Sequence, residues 1–447
     1  MSSCLRGYTS PRLTAALDQP LIIAKVVRRL VPFLCLLFLV NYLDRTNIAM
    51  AKLRMLSDVH LDDATYGLGA GMFFLGYFLF EVPSNLILHK IGARRWIARI
   101  IISWGIISSG MALVTGAKSF YTLRILLGLA EAGFFPGIVL YLTYWIPARR
   151  RSRILAAFLT ATAVSCAVGN PLAGAVMKME GIAGLHGWQW LFLVEGFPPV
   201  LLGIAILVLP ILPDGPAAAT WLDEDEKRWI ETELVADGQH PDVNHVADLR
   251  SAAVDPCLAL LSVIYFLLIM GLYGFIYWLP TILKEATHAT DFGVGLLSAI
   301  PCGIAAVGMV LIGIHADRAN QRRNHVAACA LIGAIGLAAI GWMHTPISGI
   351  AALTLAAIGI FGSLGPFWAI PTRYLRGPAA AAGIAVINSI GALSGFVAPT
   401  AIGWAKTHTG KFTAGLLLVS ASLTLAAILV LFVPRTADAA NEVGRSL

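Results

Sequence analysis

Charge is scarce in this chain. Asp, Glu, Lys and Arg make up only 13% of 447 residues, while apolar residues make up 58%; soluble domains carry roughly 25% charged residues. With a mean hydropathy of +0.78, a soluble fold has no interior large enough for so much apolar surface. Cysteine spacing of metal or redox type is also missing. Of the six cysteines, Cys4, Cys35, Cys166, Cys257, Cys302 and Cys329, five lie inside apolar stretches and read as packing residues. The chain has no paired His/Asp metal set, no nucleophile elbow and no phosphate-binding loop, so neither enzyme chemistry nor a cofactor or metal is expected. The net charge of +7 comes from small basic clusters between apolar runs, with no basic face or tail, and nucleic acid is not an expected partner. The first apolar run lacks a small-residue cleavage site, so it reads as a retained helix.

What the chain has in abundance is long apolar runs. A crossing needs about 20 such residues, and runs lie near 28 to 50, 64 to 88, 96 to 115, 119 to 145, 154 to 178 and 188 to 212, then near 256 to 281, 293 to 315, 325 to 344, 347 to 371, 380 to 406 and 412 to 433. The fold class expected is an all-α polytopic membrane protein with twelve transmembrane helices. Its divisions are a cytoplasmic N-terminal segment (1–27), a six-helix bundle (28–212), a cytoplasmic linker (213–254), a second six-helix bundle (255–434) and a cytoplasmic tail (435–447). The linker holds Asp223-Glu224-Asp225-Glu226-Lys227-Arg228, a solvated connector with one short amphipathic helix. Basic residues gather before span 1 (Lys25, Arg28, Arg29) and in the even-numbered loops: Lys90, Arg94 and Arg95; Arg149, Arg150, Arg151 and Arg153; Arg318, Arg322 and Arg323; Arg373 and Arg376. This bias puts both termini in the cytoplasm of a cell inner membrane.

An internal repeat supports the division. Asn85-x3-His89-Lys90-x-Gly92-x-Arg94-Arg95 follows span 2, and Gly313-x3-Asp317-Arg318-x-Asn320-x-Arg322-Arg323 follows span 8, an offset of 228 residues that also maps span 1 onto span 7. Two pseudo-symmetric halves around a central cavity are the expected outcome.

These loops resemble the signature between helices 2 and 3 of the major facilitator superfamily. The resemblance implies that His89, Arg94, Arg95, Asp317 and Arg318 brace a cytoplasmic gate; His89 stands where the family carries an acid, which removes a first-copy acidic latch. The strings Asn41-Tyr-Leu-Asp-Arg-Thr-Asn47, Phe80-Glu-Val-Pro-Ser-Asn85 and Arg124-Ile-Leu-Leu-Gly-Leu-Ala-Glu-Ala-Gly-Phe-Phe-Pro-Gly137 resemble the anion:cation symporter branch, which includes tartrate, phthalate and sugar-acid permeases. Tyr273-Gly-Phe-Ile-Tyr-Trp-Leu-Pro-Thr281 and Gly365-Pro-Phe-Trp-Ala-Ile-Pro-Thr372 look most like its tartrate-type members.

A charge in hydrocarbon costs at least ~2.5 to 3.5 kcal/mol even on insertion scales, so each needs a partner or a wet cavity. Asn41, Asp44 and Arg45 fall at i, i+3 and i+4 on span 1, while Arg124 and Glu131 lie two turns apart on span 4. All four charges are expected to meet one cavity. The plainer alternative is two ion pairs that tie spans 1 and 4 together. Arg45 matches a carboxylate in two-point contact, and Arg124 sits where it could pair with Asp44. Protonating Asp44 or Glu131 would free a guanidinium, so proton and anion would each favour the other's binding; the branch resemblance implies the same proton-coupling roles. The position equivalent to Arg45 is Tyr273, and span 7 holds no arginine. The other half then offers Tyr273, Tyr277, Trp368, Asn388 and Ser389, with Tyr42 and Tyr77 nearby, which favours a hydroxylated carboxylate over a phosphate ester. Glu81 is expected to pair with a gate arginine and Glu195 to serve packing. The expected activity is proton-coupled symport of a small organic acid such as tartrate by a monomeric carrier that rocks between two states; the alternative is an organic-anion exchanger or a sodium-coupled carrier of an aromatic carboxylate.

Overall fold

A computed structural model describes residues 19–236, 255–343, 345–371 and 378–434. The expected N-terminal segment, the end of the linker and the tail lie largely outside these residues. Among the described residues the regular structure is entirely helical: α1 (Gln19–Asp58), α2 (Asp63–Ile91), α3 (Ala93–Gly110), α4 (Ala117–Glu131), α5 (Phe134–Thr143), α6 (Ala148–Val176), α7 (Gly187–Val208), the linker helix α8 (Glu224–Ala236), α9 (Pro256–Thr287), α10 (Asp291–Ala319), α11 (Arg322–Ile340), α12 (Pro346–Trp368), α13 (Pro378–Thr409) and α14 (Thr413–Leu429), with short 3₁₀ turns between them. Eleven crossings are long and apolar enough to span a bilayer, α4 and α5 counting as one. The twelfth is α1, 40 residues long, whose apolar length is interrupted by Asp44 and Arg45. The twelve-helix, two-bundle architecture is therefore present, with α1 starting at Gln19 rather than near 28.

Span 4 is not one helix. Pro136 has no amide hydrogen to give to Ala132, four residues back, and its ring crowds that carbonyl. The chain breaks there: α4 ends at Glu131, Ala132 is extended at φ −55° and ψ 133°, and Gly133 turns at φ +85° before α5 starts. A Cβ on Gly133 would stand 2.2 Å from Ser84 Oγ, so close approach and backbone conformation both require glycine.

The halves meet along α2–α13, α6–α10 and α1–α9. The end of the bundle that carries α8 is termed here the linker side and the opposite end the far side. On the far side the halves are closed against each other. A Cβ on Gly67 would stand 2.3 Å from Pro399 O, so α2 and α13 are in backbone contact. Lys52 sits 3.7 Å from the centre of the Trp278 ring, bonds Thr281 at 3.2 Å and pairs with Asp63 at 2.7 Å. Arg54 reaches Asp291 at 2.7 Å, and the Tyr66 hydroxyl donates to Tyr277 O at 3.1 Å. Asp62 caps α2, and its hydrogen bonds from Thr65 hold its carboxyl below the usual range. Cys166 and Cys302, expected as packing residues, instead join α6 to α10 in a disulfide with a Cα–Cα distance of 5.8 Å.

On the linker side the repeated motif has the same job in both halves. Arg94 donates to Ile206 O at 2.9 Å and Leu207 O at 2.8 Å, capping the end of α7. Arg323 donates to Leu431 O and Val433 O just past α14. Each sixth helix of a half thus has its orphan carbonyls satisfied by a motif arginine. Asp317 pairs with Arg322 at 2.7 Å, whereas Arg95 and Arg318 are exposed. The side chain of His89 lies outside the described residues.

Candidate functional site

A cavity of about 60 Å³ lies between the halves. Phe38, Asn41, Tyr42 and Arg45 of α1 line it with Phe74 and Tyr77 of α2, Phe135 of α5 and Thr162 of α6. The second half contributes Tyr265, Ile269, Leu272 and Tyr273 of α9, Leu364 of α12, and Asn388 and Ala392 of α13. Ligand sites are commonly about 300–1,000 Å³, so an organic solute enters only as these side chains yield.

Arg45 is the charged centre of the cavity. Its Nη2 pairs with Glu131 Oε1, and its Nη1 donates to the Tyr273 hydroxyl at 3.3 Å. The rings of Tyr42, Phe73 and Tyr77 lie 5.3, 5.2 and 5.4 Å from the guanidinium carbon, within cation–π range. The break at Gly133 leaves Glu131 at the last position of α4, fully buried, with Oε2 unpartnered; Arg45 Nε is unpartnered too. One donor on the guanidinium and one acceptor on the carboxylate are thus unused inside the pair, a poor arrangement for a purely structural bridge.

Of the side chains expected at the site, Arg45, Tyr42, Tyr77, Tyr273 and Asn388 line the cavity and Glu131 stands directly behind Arg45. Others do not. Asp44 follows the next face of α1, about 100° round from Arg45, where Ser108 Oγ and Asn47 Nδ2 (3.1 Å) donate to its Oδ1. Arg124 donates to Gly69 O at 3.4 Å and Ala70 O at 3.2 Å and stacks 4.9 Å from the Phe73 ring. Tyr277 lies behind Tyr273, ring centres 5.9 Å apart, and Trp368 packs edge-on against Tyr265. Glu81, expected beside a gate arginine, is held from the other half: Asn388 Nδ2 donates to one carboxyl oxygen at 2.8 Å and Ser389 Oγ to the other at 2.7 Å. Tyr265 and Thr162 line the cavity without having been singled out by sequence; Tyr265 lies two turns before Tyr273, on the same face of α9, and that spacing was the available signal. No cluster of three or more metal-ligating side chains occurs among the described residues.

Comparison with known proteins follows the same lines. A family model described as Major Facilitator Superfamily matches residues 34–399. A protein of Agrobacterium vitis with the provisional name of tartrate transporter is 47% identical over 93% of this chain and 95% of its own length. A quinolone resistance transporter of Acinetobacter baumannii is 43% identical over 92% of this chain and 94% of its own. Among solved structures, the xylose transporter XylE from E. coli, in a partially occluded inward-open conformation, superposes with a TM-score of 0.68 at 16% identity, covering 92% of this chain and 98% of that one.

Proposed function

The chain belongs to the Major Facilitator Superfamily, and from that premise we propose that it carries a small hydroxylated carboxylate together with a proton across the cell inner membrane. The coarser statement follows from family and relatives: it is a multi-pass membrane protein and a secondary transporter of small organic substrates, not an enzyme.

The observation that carries the finer reading is the Arg45–Glu131 pair at the cavity wall, with one unused polar atom on each side. While Glu131 is ionised it competes with any anion for the guanidinium. A proton on Glu131 removes that competitor, and a substrate carboxylate takes its place on Arg45 in charge-assisted two-point contact. Binding of each then promotes binding of the other, the reciprocity that symport requires. Asn41, Thr162, Tyr77 and Tyr273 offer hydrogen bonds to substrate hydroxyls, and Asn388 joins them if Glu81 lets go. The provisional tartrate name of the 47% identical relative fits such a solute. The Lys/Arg-rich loops favour a cytoplasmic linker side; on that reading the closed far side faces outward, and the exposed Arg95 and Arg318 belong to the cytoplasmic gate, with His89 in the same repeated motif.

A second reading rests on the rings. Phe38, Tyr42, Phe74, Phe135 and Tyr265 give the cavity a largely aromatic wall, which suits a planar aromatic carboxylate, and one relative is named for quinolone resistance. Proteoliposome uptake of labelled tartrate under an inward proton gradient, with hydroxylated and aromatic acids as competitors, separates the two. Gradient-driven uptake abolished by Arg45→Ala supports the proposal; uptake that ignores the gradient and survives Arg45→Ala ends it.

A further inference from the structure

The Cys166–Cys302 bond lies in a seam between the halves, on the way from the cavity to the far side. Cys166 stands ten residues before the far end of α6 and Cys302 eleven residues after the start of α10, so at ~1.5 Å per residue both sit about 15 Å below the far ends of their helices. Thr162, one turn of α6 nearer the linker side, already lines the cavity. Beyond the bond the two helices stay in contact out to the far end. A Cβ on Gly295 would stand 2.4 Å from Asn170 O and one on Gly174 2.9 Å from Asp291 O, and Lys178, just past α6, lies 3.5 Å from the centre of the Phe292 ring. Cys166 and Cys302 are themselves 1% and 0% exposed.

For the far side to open, this seam must part together with that between α2 and α13. A disulfide reaches at most about 7 Å between Cα atoms, and this pair already stands at 5.8 Å, so linked helices separate by only about 1 Å at a level above the cavity. The link therefore suits one of a rocking carrier's two states alone. We propose that Cys166 and Cys302 are a redox lock: as two thiols they let the halves rock, and as a disulfide they hold the far side shut. A peroxide in the far compartment supplies the oxidation. While the seam is open, hydrogen peroxide oxidises one thiol to a sulfenic acid and leaves as water; when the seam closes, the second thiol attacks that sulfur and a second water departs. In total the two thiols give up two electrons and two protons, and one peroxide becomes two waters. The lock acts on the rocking of the halves and depends neither on Glu131 nor on the identity of the solute.

The test needs no solute. Wild type, Cys166→Ser and Cys302→Ser, full length in lipid and each with a protease site inserted after Ala236, are kept under reductant from lysis, freed of it, and then treated with hydrogen peroxide or left untreated. After cleavage and denaturation without reductant, treated wild type is expected to run as one cross-linked species that a thiol reductant splits into two halves. Untreated wild type and both serine variants are expected to run as two halves throughout. Amide hydrogen exchange of the uncleaved proteins then reads the opening: the far ends of α2, α6, α10 and α13 are expected to exchange at least about tenfold more slowly in linked wild type than in either variant. Because each variant removes the link independently, either one suffices if the other fails to fold. Treated wild type whose halves separate without reductant overturns the proposal, as does linked protein that exchanges as fast as the variants, which would make the bond a pivot. Equal slowing in the treated variants, or a link already complete in untreated wild type, overturns it too, in favour of oxidation elsewhere or of a permanent bond.

Discussion

Arg45 and Tyr273 hold the same position in the two halves, 228 residues apart, and they touch, Nη1 to phenol oxygen, at 3.3 Å. Two residues related by a pseudo-twofold repeat meet only near its axis, so the cavity's guanidinium stands where the halves face each other. One half brings a charge and the other a neutral hydroxyl to the same point.

That contact is open to test. Tyr273→Phe removes a hydrogen bond to a charged group, worth about 1.5 kcal/mol at the weak end of such bonds, and is expected to weaken binding of the carried anion about tenfold in a titration of the purified protein. Arg45→Lys keeps the charge but loses the planar fork, which a point charge cannot replace. Its binding is expected to fall at least about tenfold; affinity equal to wild type would remove Arg45 from the anion site.

Glu131→Gln separates proton from solute. On the proposed coupling the anion and the Glu131 proton favour each other in wild type, so anion affinity is expected to rise as pH falls and to level off once Glu131 is protonated. Glutamine mimics the protonated acid at every pH. The variant is expected to bind the anion with a flatter pH profile and to exchange labelled for unlabelled solute, yet to fail at uphill accumulation. Retained proton-driven accumulation would move the coupling site elsewhere.

The backbone contact at Gly67 implies a conformational trap. A leucine there cannot fit against Pro399 O, 2.3 Å from its Cβ, and the far side cannot close. Gly67→Leu is expected to expose Trp278 and Thr281 to the far compartment, as read by thiol labelling of Thr281→Cys, while transport stops. Normal labelling together with normal transport would show that α2 and α13 separate without cost.

Gly133→Ala tests the break in span 4. A residue other than glycine at φ +85° costs on the order of 1–3 kcal/mol, and Ser84 adds a steric clash. A lower melting temperature is expected for Gly133→Ala, with little recovery in Gly133→Ala/Ser84→Ala because the Ser84 Cβ, 2.6 Å from the added methyl, stays in place. No loss of stability in the single variant would mean the break adapts.

The architecture was legible in the sequence because hydrocarbon imposes it: length, apolar runs and a repeated loop sufficed for twelve spans in two halves. Arg45 and Glu131 were legible for a related reason, since a buried charge needs a partner and these two are each other's. Asp44 was read onto the cavity through its spacing from Asn41. In the helix its neighbour Arg45 takes the cavity-facing direction together with Asn41, and Asp44 turns to Ser108. Asn388 and Ser389 were expected to offer polar groups to the substrate; that both bond Glu81, more than 300 positions away, depends on how the halves dock. The Cys166–Cys302 link has the same origin, with 136 residues between its ends. Pro136 carried the signal for the break in span 4, although its consequence for the position of Glu131 follows only from the fold.

A proton carried on Glu131 would also set how the carrier answers to voltage. Moving one elementary charge through the membrane potential is worth about 2.3 kcal/mol per 100 mV. A monoanion that travels with that proton would feel none of it, whereas a dianion escorted by it would enter a cell with a negative interior against the field. The valence of the solute, and not its size, would then decide whether the membrane potential opposes entry.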